Sequence, residues 1–162
     1  MTTDIGYHLV VVTGLPGTAK TETAQALDLG LEGYDNHSML DIRNDMDLTN
    51  FSGGDVPAVV EEAAIRVDVS LLSGRGAIFD SVLTHRAQRE DVYGIAYARD
   101  AGVVVVETKA PRREALKHIA RRRLVRGTPH NPAIYDRYNQ GREAVEKDHS
   151  VNGGQASHII YH

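Results

Sequence analysis

Residues 8–27 read HLVVVTGLPGTAKTETAQAL, and no other stretch limits the fold of this chain as tightly. The apolar, β-branched run from His8 to Thr13 is the pattern of a strand buried on both faces. Gly14 ends it, and Thr21 to Leu29 reads as a helix stopped by Gly30. A glycine-bearing turn between a strand and a helix N-terminus aims backbone N–H groups and the positive end of the helix dipole at one spot, which makes a cradle for phosphate. Gly14, Leu15, Pro16, Gly17, Thr18, Ala19, Lys20 and Thr21 would form that cradle. Lys20 would reach the β- and γ-phosphates, and the Thr21 hydroxyl would serve Mg²⁺. The usual pattern, G-x-x-x-x-G-K-[ST], has glycine before the lysine; here Ala19 stands in its place. Alanine keeps the backbone donor, so nucleotide binding is expected to persist. The alternative is an ordinary strand-to-helix turn with a surface lysine. The coincidence of strand, loop, Lys-Thr pair and helix argues against it.

The alternation continues downstream. Residues 30–54 are polar, and a second strand is expected there, ending near Asp41. Val56, Val59, Val60, Ala63, Ala64, Val67 and Leu71 recur at helical spacing, with Asp55 placed as N-cap. GAIFD (76–80) and GVVVVE (102–107) read as buried strands, and SHIIYH (157–162) as a last one. Helices are expected over about 86–101, 111–125 and 133–148, with 126–132 as a loop. Val92, Ile95 and Ala96 face inward on the first of these, and Leu116, Ile119, Ala120 and Leu124 on the second. Apolar strands alternating with helices imply one α/β domain over residues 1–162, with a central parallel sheet of about five strands and helices on both faces. Ligands of such sheets bind at the carboxyl ends of the strands.

Composition removes several classes. With no cysteine, disulfides and thiolate metal sites are excluded. The start MTTDIGY carries no basic run, and no apolar run is long enough to span a membrane, so a cytoplasmic protein is expected. The eight histidines form no metal-ligand spacing. Net charge is −4, yet residues 109–126 hold eight basic side chains against the single acid Glu114. An acidic body with one basic element points to a local anion site.

Three kinds of phosphate-loop protein can be compared. A GTPase needs Asn-Lys-x-Asp after an apolar strand, and the corresponding place reads TKAP (108–111). A ring ATPase needs a further helical domain. A small kinase needs a second acid, a substrate site and an arginine-rich lid, and candidates exist for each. Asp80 ends GAIFD, where a carboxylate would orient Thr21 or a metal-bound water; the alternative is a strand-end cap. Asp41, in MLDIRNDM, could accept the proton of an attacking hydroxyl, with Asp35 and Asp45 as competitors. Arg43 beside it could bind a substrate phosphate. Arg122 and Arg126, four apart on one helix, could neutralise charge on a transferring phosphoryl group.

GLPGTAKT, LDIRNDM, RGAIFDSVLTHRAQRED and RRRLVRGTPHNP stand in the order and spacing of small P-loop kinases. Together they resemble the 5′-kinase domain of phage-type polynucleotide kinases, a group similar to zeta-toxin-like and small-molecule phosphotransferases. The resemblance implies the P-loop kinase fold with a lid over about 121–132, ATP and Mg²⁺ as cofactors, and single-stranded DNA or RNA ends as partners. It makes Lys20 and Thr21 the phosphate and metal residues, Asp80 the strand-end acid, and Asp41 the general base. Arg43 becomes a substrate contact, Arg122 and Arg126 lid residues. Arg86 and Arg89 fall where that family places arginines after the acid. The family spaces its base and arginine as Asp-x-x-Arg, whereas Asp41 and Arg43 are separated by one residue. The expected activity is transfer of the γ-phosphate of ATP to a 5′-hydroxyl. The competing readings are a small-molecule kinase and a nucleotide-binding module that transfers nothing.

Overall fold

The computed structural model describes residues 7–48, 56–126, 133–145, 148 and 156–161; the side chains of Val56, Arg123, Val125, Arg126 and residues 156–161 lie outside that description. Five strands form one sheet: β1 (His8–Gly14), β2 (Tyr34–Ser38), β3 (Gly76–Ser81), β4 (Gly102–Thr108) and β5 (Ala156–Tyr161). Their order is β2-β3-β1-β4-β5, and every pairing is parallel. The helices are α1 (Lys20–Gly30), α2 (Met39–Asp45), α3 (Val56–Leu72), α4 (Arg86–Tyr97), α5 (Arg112–Arg126) and α6 (Ala133–Gln140).

The period-2 alternation of β1 splits the core. Leu9 and Val11 pack with Val59, Ala63 and Val67 of α3 and Tyr93 and Ala96 of α4. Val10 and Val12 turn to the other face and pack with Ala24 of α1 and Ile78. A third cluster joins Leu15 of the phosphate loop to Ala115 and Ile119 of α5 and Tyr135 of α6. The loop is therefore built into the core at one point rather than laid on the surface.

Four expectations change. The second strand ends at Ser38, three residues before Asp41, because Ser38 caps a short helix: its hydroxyl accepts from the Leu40 and Asp41 amides at 3.1 and 3.3 Å. Helix α4 stops at Tyr97 rather than near 101, where Asp100 turns left-handed (φ 53°) and the Ala101 amide closes back on the Ala96 carbonyl at 2.9 Å. Helix α6 ends at Gln140 rather than 148; beyond it Arg142 pairs with Glu107 of β4 and the Glu143 amide donates to the Thr84 carbonyl. On α5 the inward face is Ala115 and Ile119, while Leu124 is 88% exposed. The loop 127–132 lies outside the described residues.

Candidate functional site at the carboxyl ends of the strands

The phosphate loop is held from below by hydroxyls. Thr18 Oγ1 donates to the Leu15 carbonyl at 2.7 Å and lies 2.7 Å from Thr108 Oγ1 on β4. A Cβ on Gly14 would sit 2.3 Å from that same Thr108 oxygen. Gly17 has φ 79°, and a Cβ there would come 2.3 Å from the Ala115 carbonyl of α5. His118 Nδ1 donates to the Gly17 carbonyl at 3.1 Å, which fixes its tautomer. The side chains of Leu15 and Thr18 are thus buried framework, and the loop is clamped between β4 and α5. Gly17→Ala combines a left-handed alanine with a backbone collision, and should destabilise the fold by about 2–3 kcal/mol in chemical denaturation.

Ala19 sits at the N-cap of α1 with φ 63° and ψ 35°. The usual glycine of the motif is therefore replaced at a left-handed position, which costs an L-residue about 1 kcal/mol. Its methyl does not displace the loop: Lys20 and Thr21 still enter α1 directly behind it. Because glycine gives back part of that gain as unfolded-state entropy, Ala19→Gly should raise stability by only about 0.5 kcal/mol, with nucleotide affinity equal or higher by titration calorimetry. Weaker binding would assign Ala19 a role of its own.

Lys20 Nζ donates to the Leu15 carbonyl at 3.1 Å. Burial lowers its pKa from 10.5 to about 8, helped by the Arg122 charge and opposed by Asp80 and Glu22. Thr21 Oγ1 donates to Asp80 Oδ2 at 3.1 Å. Asp80 is 5% exposed at the end of β3, in register with Ser38. Burial raises its carboxyl pKa, and the Asp41 charge adds to this, while Thr21, Lys20 and Ser38 oppose it. Its second oxygen, Oδ1, is buried with no protein partner.

The three acids on the acceptor side separate cleanly. Asp35 faces Ala77 in the sheet register, about 10 Å toward the amino end of the strands from Asp80. It is held by Arg75 (2.7 and 2.9 Å) and Ser70 (2.8 Å), and Arg75 keeps its carboxyl below the usual range. Asp45 pairs with Arg66 at 2.6 Å. Asp41 is exposed in the first turn of α2, one turn past Ser38 and within electrostatic reach of Asp80. Arg43 is buried, and two positions from Asp41 on a helix it occupies another face.

Among the arginines, Arg122 reaches back to α1, donating to Glu22 at 2.9 and 3.0 Å, and its charge is felt at Lys20. The Arg126 side chain lies outside the described residues. Arg86 pairs with Glu90 at 2.5 Å on the flank of α4. Arg89 is fully buried. Two residues at this end of the sheet carry no sequence signal as site residues. Ser38 caps α2 and stands in register with Asp80, and the buried Glu107, at the end of an otherwise apolar strand, pairs with Arg142 and Lys109. A short hydroxyl-bearing polar strand, and an acid inside VVVVE, are the only hints. Arg142 and Lys109 also line a cavity of about 140 Å³ beside Leu15 and Thr18. Among the described residues no group of three or more His, Cys, Asp and Glu side chains is arranged to hold a metal, and no helix is long and apolar enough to cross a membrane.

No protein-family model matches the chain, and no curated protein matches it by sequence. Solved structures do. A chain of the Pnkp1/Rnl/Hen1 RNA repair complex superposes with TM-score 0.74 at 15% identity, covering 88% of this chain and 45% of that one. This chain thus spans less than half of that relative's length. A kinase described as putative from Chloroflexus aurantiacus gives 0.73 at 19%, covering 96% and 88%. Chaetomium thermophilum Kti12, solved in complex with ADP-AlF3, gives 0.68 at 20%, covering 94% and 89%. At these identities the likeness is one of architecture, and it agrees with the strand order and the loop geometry: the chain has the P-loop kinase fold.

Proposed function

We propose that the chain is an ATP- and Mg²⁺-dependent phosphotransferase whose acceptor is the 5′-hydroxyl of a polynucleotide. The observation that supports this is the convergence of Lys20, Thr21, Asp80 and Arg122 on one loop, with the exposed carboxylate of Asp41 within electrostatic reach of Asp80. The buried, unpartnered Asp80 Oδ1 and the Thr21 hydroxyl beside Oδ2 are the hard oxygen donors that suit Mg²⁺ and its waters. When bound, the ion would neutralise negative charge on the phosphate groups of the nucleotide.

The chain's own residues supply the rest. Loop amides and the α1 dipole hold the β-phosphate, and Lys20 spans to the γ-phosphate. Arg122 leaves Glu22 to cover the equatorial oxygens, joined by Arg126. Asp41 takes the proton of the acceptor hydroxyl as its oxygen bonds to the γ-phosphorus and the bond from that phosphorus to the β–γ bridging oxygen breaks. Arg43 and Arg86 are proposed to steady the acceptor's phosphodiester, each after leaving its place in the present structure. The basic α5 and the similarity to a chain of an RNA repair complex support the polynucleotide reading.

The test is competition between acceptors. With γ-labelled ATP, label should pass to a 5′-hydroxyl oligonucleotide, and binding of that oligonucleotide should weaken steeply with salt. Label on a nucleoside, sugar or extract metabolite instead would assign a small-molecule kinase. Nucleotide binding with label on no acceptor would leave a binding module.

A further inference from the structure

Arg89 falls where the P-loop kinase resemblance places an arginine after the strand-end acid, yet all five of its N–H donors are already used. Nε and Nη2 donate to Asp148 Oδ2 and Oδ1 at 2.6 and 3.0 Å. Nη2 also donates to the Ala144 carbonyl at 3.3 Å, and Nη1 to the Leu83 and Thr84 carbonyls at 3.0 and 3.3 Å. An arginine has five such donors, so none is left for a phosphate. Tyr93 adds a bond to Asp148 Oδ2 at 2.8 Å.

These partners belong to two segments. Leu83 and Thr84 lie in the loop that follows Asp80 and β3. Ala144 and Asp148 lie beyond α6. The same two segments meet again where the Glu143 amide donates to the Thr84 carbonyl at 2.8 Å and the Glu143 carboxylate accepts from the Arg86 amide. Arg142 anchors the second segment to Glu107 of β4, and Leu83 is tied to Thr13 Oγ1 of β1 at 3.2 Å. Residues 142–145 thus form a strap, fixed to β4 through Arg142 and to α4 through Ala144, with Arg142 and Val145 beside Gly14 and Leu15.

Stability alone is a weak reason for this pair. A buried ion pair is seldom better than apolar side chains of the same volume. What apolar side chains would lack is the ability to bond carbonyls of two separate segments at once, Leu83 and Thr84 on one and Ala144 on the other.

We propose that Arg89 is a positioning residue, stitching the loop after Asp80 to the strap and so fixing the head of α4, from which Arg86 is proposed to steady the acceptor, while touching no substrate itself. The kinetic part of this rests on the phosphotransferase reading above; the structural part does not.

Two measurements test it on Arg89→Lys and Asp148→Asn, with Tyr93→Phe as the variant that leaves every bond from Arg89 in place. If a single variant fails to fold, the paired replacement Arg89→Met with Asp148→Leu restores packing without the stitch. Amide hydrogen exchange at 83–85 and 143–145 should quicken together by at least ~10-fold, while phosphate-loop amides stay within about twofold. With a 5′-hydroxyl oligonucleotide, the acceptor KM should rise ~10-fold and the ATP KM change less than about twofold. Exchange that is unchanged, confined to one segment or global overturns the proposal. So does a loss of kcat with both KM values intact, which is what a purely structural clamp would give. If the wild-type protein labels no oligonucleotide, the functional reading fails and the exchange result alone decides on Arg89.

Discussion

Asp41→Asn is expected to lower phosphoryl transfer by about 10³-fold while leaving nucleotide affinity within about twofold. The substitution keeps shape and removes only the ability to take a proton. Asp41 is exposed at the start of α2, so its loss should change stability by no more than about 0.5 kcal/mol. The neighbouring electrostatics point the same way. The Asp41 charge helps to raise the Asp80 pKa, so neutralising it makes Asp80 more readily ionised and the donor side no weaker. Steady-state transfer and calorimetric nucleotide titration on one preparation separate the two effects. Transfer that survives would move the base to another acid. Asp35 and Asp45 are poor replacements, since one faces Arg75 near the amino end of the strands and the other is paired to Arg66.

Lys20→Met should remove transfer by about 10²–10³-fold or more, and nucleotide affinity with it, because the lysine contacts the phosphates in both ground and transition states. A pH signature accompanies it. With a pKa near 8 in the folded chain, Lys20 loses its charge as pH rises past 8, so nucleotide affinity of the wild-type protein should fall over that range. Bound phosphate favours the charged form, so binding near pH 8–9 should take up a proton. Stability responds in the opposite sense. The folded pKa lies below the unfolded one, so the unfolded chain holds the extra proton between about 8 and 10.5, and stability from this group rises with pH across that window. In Lys20→Met both slopes should vanish. Nucleotide binding in the wild-type protein that does not change with pH would mean that Lys20 stays charged in its burial.

Much of this architecture could be read from local pattern. The runs HLVVVT, GAIFD and VVVVE are apolar on both faces, as interior strands of a parallel sheet must be, and each became a strand at its expected place. The loop from Gly14 to Thr21 was legible because its chemistry is contiguous. The edge strand β2 was placed poorly. Tyr-Asp-Asn-His-Ser is half-exposed and polar, and its end is set by the Ser38 cap rather than by hydrophobicity. The end of α6 escaped for a related reason. Residues 133–148 keep a helical rhythm, but Asp148 is bound to Arg89, 59 positions away, and that tertiary bond fixes the path of the strap. Arg89, Glu107 and Arg142 were invisible as a group because their partners are remote in sequence. Conversely, Asp80 and Thr21 were legible together although 59 positions apart, because a strand-end acid beside a phosphate loop is a property of the topology.

The central claim is that the site delivers a phosphoryl group to a free hydroxyl at a polynucleotide 5′ end. Incubation with γ-labelled ATP and Mg²⁺ of two oligonucleotides, identical except that one carries a 5′-hydroxyl and the other a 5′-phosphate, tests it most directly. Label is expected on the first and none on the second, and Asp41→Asn should abolish it. Equal labelling of both, or of neither while ATP is still bound, would contradict it.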